Sequence, residues 1–160
     1  MFAVGDNLDS WFLNEENLLW ERTNPSLAWL MPAAGFWAED EVLVQTEEKN
    51  FTRTNLAGFF EALEGPNMGH MVEDTKDLIA GLPAPGVEVF CSHGSKVDTT
   101  ERLVYPPGSF PSTTSLTGQE GEQFWPFPSA APTLIKGDGD GTVNRRSLEV
   151  CLMYFCQNYN

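Results

Sequence analysis

Three short segments show the pattern of apolar and polar positions that is typical of β-strands. Glu41–Thr46 (EVLVQT) places every second side chain on one face, and Gly86–Cys91 (GVEVFC) alternates two valines and a cysteine with Glu88 and Phe90. A third segment, Thr133–Lys136 (TLIK), is shorter. We predict a strand at each of these places.

Apolar residues at helical spacing predict three helices. The clearest is Thr54–Leu63, and the second is Asp74–Leu82, which Gly81 and Pro83 end. A third helix is predicted to begin at a cap formed by Thr142. Its apolar face consists of Leu148, Cys151, Leu152 and Phe155. Because strand and helix signals alternate in the second half, the pattern favours the α/β fold class.

Two stretches show no regular pattern. Residues 2–37 mix seven aromatic side chains with Asp, Asn and Glu, and prolines at positions 25 and 32 interrupt them. Residues 106–132 contain six prolines among Ser, Thr and Gly, which predicts a surface loop or a partly disordered insertion. The first half of the chain therefore looks like an irregular insertion or a cap.

Composition limits the class of protein. With 160 residues, of which 41% are hydrophobic, the chain can form one domain with a core. A net charge of −14 disfavours nucleic acid as a partner, since both would be negative. No run of apolar residues is long enough for a transmembrane helix. The first ten residues, MFAVGDNLDS, are not expected to be a signal peptide as written, because they lack a basic start and a long apolar run.

The three cysteines and two histidines do not form a metal-binding pattern. A zinc site with four protein ligands would need Cys91, Cys151 and Cys156 together with a histidine. A calcium loop of the EF-hand type that starts at Asp138 fails because Val143 occupies the position that needs glycine. The sequence predicts neither a metal nor another cofactor.

The segment GDGDG (Gly137–Gly141) places two carboxylates between a predicted strand and a predicted helix. Functional side chains often lie at the ends of strands in α/β sheets. The residues alone leave two interpretations open. Asp138 and Asp140 either cap a solvated turn, or one of them takes part in catalysis or ligand binding.

Several motifs along the chain occur in the order found in one family of enzymes. They are GDN (Gly5–Asn7), WLMP (Trp29–Pro32), VLVQT (Val42–Thr46), NFT (Asn50–Thr52), GFF (Gly58–Phe60), DLIAGLPAPGVEVFC (Asp77–Cys91) and the GDGDG segment. Together they resemble the lecithin:cholesterol acyltransferase and lysosomal phospholipase A2 family of α/β-hydrolases. The resemblance implies that residues 1–85 belong to the lid and cap. It implies that residues 86–160 belong to the hydrolase core, with an insertion at about 106–132.

The resemblance assigns different roles to the two aspartates. Asp140 matches the acid of the family's Ser-His-Asp triad, and Asp138 matches a neighbouring position that relays no proton. A triad acid accepts a hydrogen bond from the imidazole Nδ1–H and stabilises the imidazolium during acyl transfer. Glycines beside it leave backbone N–H groups free to keep it ionised.

Other positions match features outside the triad. Cys91 and Cys151 match the family's disulfide, which leaves Cys156 unpaired. The sequon at Asn50 coincides with a family glycosylation position. A disulfide and a sequon favour the secretory route, either the lysosomal lumen or the extracellular space.

Trp11 and Phe12 follow GDN, where the family's lid places apolar side chains against lipid. The alternative is that they pack inside the cap. If they contact lipid, a membrane or lipoprotein surface is the expected partner.

Two triad members have no match in these 160 residues. No G-x-S-x-G pentapeptide occurs, and no histidine follows Asp140. His70 and His93 do not match the family's histidine position. We therefore expect the chain alone to be inactive as an acyl hydrolase.

Two functions remain open at this point. The first is a partial lipid O-acyltransferase or phospholipase A, which moves an acyl chain from a glycerophospholipid to a sterol, another lipid alcohol or water. The second is a non-catalytic remnant of that family that binds lipid or lipoprotein.

Overall fold

The computed structural model describes residues 25–63, 66–78, 86–110 and 129–154. The elements in these ranges are α1 (Pro25–Trp29), β1 (Val42–Gln45), β2 (Asn50–Thr52), α2 (Leu56–Ala62), α3 (Pro66–Thr75), β3 (Val97–Val104), β4 (Thr133–Gly139), α4 (Arg145–Leu148) and α5 (Val150–Tyr154). A 3₁₀ turn over Arg53–Asn55 joins β2 to α2.

The four strands form one mixed sheet in the order β2-β1-β3-β4. β1 and β2 form an antiparallel hairpin, β1 lies parallel to β3, and β3 is antiparallel to β4. The sheet thus joins strands from both sides of the predicted division at residue 85. Residues 79–85 lie outside the described ranges, so the division itself stays a prediction.

The main apolar core packs around the β1–β2 hairpin. Leu43 and Val44 of β1 are 0% and 1% exposed, and the aromatic ring of Phe51 meets that of Phe59 edge to face at 5.5 Å. Full burial of a leucine or valine side chain contributes about 1.5–3 kcal/mol. The remaining members of the cluster are Trp37, Leu56, Leu63, Leu103 and Tyr105.

A smaller cluster joins α1 to α3. Ala28, Met68 and Val72 are buried together, and Met68 and Val72 lie one turn apart on α3. Of the helix predicted over Asp74–Leu82, Asp74 and Thr75 are helical, residues 76–78 form a turn, and residues 79–82 lie outside the described ranges. The helix runs earlier in the chain and ends at Thr75, whose hydroxyl donates back to the Met71 carbonyl at 2.7 Å.

Three other predictions agree with the structure. The segment Glu41–Thr46 contains β1, and Thr54–Leu63 contains the end of the 3₁₀ turn and α2. The face of α2 with Leu56 and Phe59 is buried, as the spacing indicates. Thr133–Lys136 forms the first part of β4.

The strand predicted over Gly86–Cys91 is wrong. This segment is irregular, and the side chains of Val87 and Phe90 are 61% and 86% exposed. The strand in this part of the chain is β3, which has many polar residues and shows no apolar alternation. β3 forms a strand because it pairs with β1 and β4. The pattern of residues within one segment does not reveal such pairing.

The helix predicted to follow the aspartates is divided into α4 and α5. It begins after Asn144 rather than at Thr142. Leu152 is 42% exposed, and Phe155 lies outside the described residues.

The ends of the predicted insertion are close together, because the Ser129 N–H donates to the Ser109 carbonyl at 2.7 Å. Residues 111–128 lie outside the described ranges. Within the described ranges, no helix has the length and apolar character needed to cross a membrane.

Candidate active site

The candidate site lies at the end of β4. This strand continues through Asp138 to Gly139, where Val97 of β3 is the partner, so the turn begins later than the sequence suggests. The chain then reverses over Asp140–Val143, which we call the aspartate turn. The carboxylate of Asp140 is exposed at the start of this turn.

Backbone groups of the aspartate turn hold the Asp140 carboxylate. The N–H groups of Val143 and Thr142 donate to Oδ1 at 2.7 and 2.8 Å. The Asp140 N–H in return donates to the Val143 carbonyl at 3.2 Å. The hydrogen bond from Val143, followed by that from Thr142, holds the pKa of Asp140 below its ordinary value, so this carboxylate is ionised at neutral pH.

Two glycines allow the aspartate turn to form. Gly141 has a φ of 98°, which favours glycine, and its N–H donates to the Thr99 hydroxyl at 2.9 Å. A Cβ on Gly139 would lie 2.3 Å from the Thr99 Oγ1 and 2.4 Å from the Val143 carbonyl oxygen. A side chain at position 139 would therefore displace β3 or the turn.

The segment 92–96 crosses close to the aspartate turn. A Cβ on Gly94 would lie only 2.9 Å from the Asp140 Cβ, so the two residues are in direct contact. Lys96 has a φ of 65°, and its N–H donates to Asp138 Oδ1. The segment thus touches both aspartates.

Asp138 has bonds of a different kind. Besides Lys96, its carboxylate binds the guanidinium of Arg145, with 3.1 Å between Oδ2 and Nη1. The Lys96 N–H and then Arg145 lower the pKa of Asp138. Both carboxylate oxygens are therefore engaged in linking segment 92–96 to α4.

Polar contacts also anchor α4 behind the turn. Asn144 is completely buried, and its Nδ2 donates to the Thr100 carbonyl at 2.9 Å. The guanidinium of Arg146 binds both oxygens of Glu41 at 2.7 and 2.8 Å and Glu101 at 3.0 Å. The same group lies 4.1 Å above the ring of Trp37. These contacts connect the start of β1 to the residues that follow the aspartate turn.

A disulfide joins Cys91 to Cys151, the pair that the resemblance implies. It attaches segment 92–96 to α5. With a sequence separation of 60 residues, the chain-entropy account gives such a bridge about 4 kcal/mol of stabilisation. Cys156 lies outside the described residues.

The histidines take no part in this arrangement. His70 is exposed on α3, and His93 is exposed with its Nδ1 3.1 Å from the Gly94 carbonyl oxygen. Among the residues that the structure describes, no group of three His, Cys, Asp or Glu side chains is placed to hold a metal ion.

The predicted glycosylation site lies within the described residues, and the predicted lid contacts do not. Asn50, the sequon residue, is exposed at the start of β2. Trp11 and Phe12, the predicted lid contacts, lie outside the described residues.

A sequence model described as lecithin:cholesterol acyltransferase matches residues 72–160. This range is more than half of the chain and includes β3, β4, the aspartate turn and the disulfide. The chain belongs to the lecithin:cholesterol acyltransferase family. Membership in this family relates it to lipid acyltransferases.

Curated relatives of the family resemble the chain over most of its length. The phosphatidylcholine-sterol acyltransferase of Gallus gallus is 32% identical over 152 residues, which are 94% of this chain and 33% of the relative. That of Homo sapiens is 32% identical over 157 residues, 94% of this chain and 31% of the relative. That of Myodes glareolus is 33% identical over 131 residues, 82% of this chain and 39% of the relative. The chain thus spans about a third of the length of these relatives.

Sequence reasoning missed the residues that support Asp140. Thr99 and Gly94 contact the aspartate turn, yet they lie in segments for which the sequence predicts no element and no motif. The only local signal was the glycine content around Asp140, which indicated a tight turn.

Proposed function

We propose that Asp140 is the acid of a Ser-His-Asp site that transfers an acyl group, and that the chain is part of an α/β-hydrolase of this family. In such a site the serine attacks the ester carbonyl, and a histidine takes the serine proton. The acid orients the histidine and stabilises its charged form. The serine and the histidine would come from parts of the enzyme that these 160 residues do not contain.

The observation that carries this proposal is the way Asp140 is held. Both backbone hydrogen bonds end on Oδ1, so Oδ2 can accept a bond from an imidazole Nδ1–H. The carboxylate is exposed at a strand end, and its lowered pKa keeps it ionised beside an imidazolium. Asp138 is less suited, because Lys96 and Arg145 occupy both of its oxygens.

The proposed substrates follow from family membership. The acyl donor would be a glycerophospholipid. The acceptor would be a sterol, another lipid alcohol or water, since the curated relatives are phosphatidylcholine-sterol acyltransferases. A membrane or lipoprotein surface would present these lipids, and Trp11 and Phe12 are the proposed contacts.

The proposed compartment is the secretory pathway, with the extracellular space or the lysosomal lumen as the destination. The Cys91–Cys151 disulfide supports it, because such bonds persist in oxidising compartments. The exposure of Asn50 supports it as well, since glycosylation needs an accessible asparagine. We propose Asn50 as a glycosylation site.

A chimera tests the catalytic role. The aligned segment of the Gallus gallus relative is replaced by this chain, and acyl transfer from phosphatidylcholine is measured for the chimera and for its Asp140→Asn variant. We expect the substitution to lower kcat by roughly 10⁴-fold, the size of effect seen when a triad acid becomes an amide. A folded variant with unchanged kcat would overturn the proposal.

The isolated chain provides the second measurement. It should show no phospholipid deacylation, because it supplies one triad member of three. Turnover by the isolated chain would contradict the proposal. If the chimera binds phospholipid vesicles but transfers no acyl group, the non-catalytic lipid-binding function is favoured instead.

A further inference from the structure

Thr99 connects β3 to the aspartate turn. Its side chain is completely buried, and its hydroxyl donates to the Val97 carbonyl at 2.9 Å. The same oxygen accepts the Gly141 N–H at 2.9 Å. Because a hydroxyl can donate and accept at once, this one group ties the strand to the turn.

The tether reaches the middle of the aspartate turn. Gly141 lies between Asp140 and Thr142, and the N–H groups of Thr142 and Val143 both aim at the Asp140 Oδ1. The direction of these N–H groups depends on the backbone angles of Gly141, which sits at a φ of 98°. Fixing the Gly141 amide therefore fixes the two donors that hold the carboxylate.

Close packing keeps the Thr99 hydroxyl in place. A Cβ on Gly139 would approach Thr99 Oγ1 to 2.3 Å and Thr99 Cβ to 2.7 Å, so the backbone of Gly139 lies directly against this side chain. Side chains in close-packed interiors sit in rotamer minima, so the packing opposes rotation of the hydroxyl away from Gly141. The tether is consequently rigid.

We infer that Thr99 is a positioning residue for the Asp140 carboxylate, acting through the Gly141 amide. Any effect of Thr99 on acyl transfer rests on the proposed catalytic role of Asp140. The positioning itself is a property of the chain.

Removal of the hydroxyl has a defined consequence. Valine matches threonine in shape but accepts no hydrogen bond, so the Gly141 N–H loses its partner and the turn loosens. The donors from Thr142 and Val143 then align less well with Oδ1, and the pKa of Asp140 rises. The nearby charged groups, Asp138, Lys96 and Arg145, are unchanged by this substitution.

The chain offers a matched control in the next residue. Thr100 is also completely buried on β3, but its hydroxyl accepts from Lys136 Nζ at 3.1 Å and makes no bond to the turn. Thr100→Val therefore removes an equally buried hydroxyl without touching Gly141. Thr99→Ser keeps the hydroxyl and should restore the tether.

The experiment is an NMR titration of the Asp140 side-chain carboxyl carbon in the 160-residue chain. We expect Thr99→Val to shift its midpoint upward from that of the wild type, and Thr99→Ser and Thr100→Val to leave it unchanged. An unchanged midpoint in folded Thr99→Val would overturn the inference. An equal shift in Thr100→Val would do the same.

Hydrogen exchange of the Gly141 amide in the wild type keeps the inference testable if Thr99→Val does not fold. We expect clear protection in the wild type and in Thr99→Ser, and roughly tenfold faster exchange in any folded variant without the hydroxyl. Unprotected exchange in the wild type would overturn the inference. Neither measurement uses activity, so a failure of the catalytic proposal would remain distinguishable from a failure of this one.

Discussion

The β1–β2 hairpin and the aspartate turn are stabilised by different interactions. The hairpin buries Leu43, Val44 and Phe51 in an apolar cluster, with partners that are mostly close in sequence. The turn exposes Asp140 and Thr142, and its shape depends on a hydrogen bond to Thr99 and on contact with Gly94, each more than 40 residues away in the sequence. Apolar packing thus maintains the fold, and a few long-range polar contacts set the site.

This difference predicts that substitutions in the two regions separate stability from activity. A change in the hairpin should lower the free energy of unfolding, with little specific effect on the candidate site. A change in the turn should alter the site in a chain that stays folded.

The largest stability effect is expected at Leu43, which is 0% exposed. Leu43→Ala should lower the free energy of unfolding by about 2–5 kcal/mol, because it removes buried methyl groups and leaves a cavity. Urea unfolding followed by circular dichroism measures this. Leu152→Ala is the control, since that side chain is 42% exposed, and its effect should stay within about 0.5–1 kcal/mol. Equal losses of unfolding free energy in the two variants would contradict the claim that apolar packing around the hairpin maintains the fold.

A smaller effect on the free energy of unfolding is expected at Arg146, which connects the start of β1 to α4. Arg146→Lys keeps the charge but loses the planar contacts to Glu41, Glu101 and Trp37, which should cost roughly 2 kcal/mol. Arg145→Lys alters only exposed ion pairs and should leave the unfolding midpoint close to that of the wild type. The two arginines are adjacent, so unfolding midpoints compare them directly. If both variants lower the unfolding midpoint equally, the contacts of Arg146 stabilise the fold no more than the exposed ion pairs of Arg145 do.

The smallest effect is a pH dependence of stability. Hydrogen bonds lower the pKa of Asp138 and of Asp140 below 3.8 in the folded chain. Their stabilisation is present above the ordinary pKa and is lost as the pH falls through the lower folded value. Urea midpoints from about pH 6 to about pH 2 should therefore fall less steeply in Asp138→Asn and Asp140→Asn than in the wild type. Slopes identical to the wild type in both variants would show that neither carboxylate is held as described.

The contrast between the regions also explains what could be predicted from the sequence. The apolar repeats of β1 and α2 are local, and both elements were found close to their true bounds. β3 was missed because the residues VDTTERLV become a strand through pairing with β1 and β4. The apparent strand at Gly86–Cys91 had alternation but no neighbouring strand within the described ranges.

The same limit applies to the candidate site. Resemblance pointed to Asp140 and to the pair Cys91 and Cys151, and glycines indicated a turn. The supports at Thr99 and Gly94 depend on distances between segments far apart in the chain. A single sequence contains no signal for such distances, because it does not show whether a threonine is buried or which distant segment it contacts.

A comparison of the two neighbouring carboxylates tests the central claim most directly. Asp138→Asn and Asp140→Asn are placed separately in the chimera with the Gallus gallus relative, and kcat for acyl transfer is measured beside the unfolding midpoint. Asp140→Asn should lower kcat by roughly 10⁴-fold and leave the chimera folded, and Asp138→Asn should keep kcat within about tenfold of the unsubstituted chimera. Comparable losses of kcat in the two variants, or the larger loss in Asp138→Asn, would contradict the assignment of Asp140 as the triad acid.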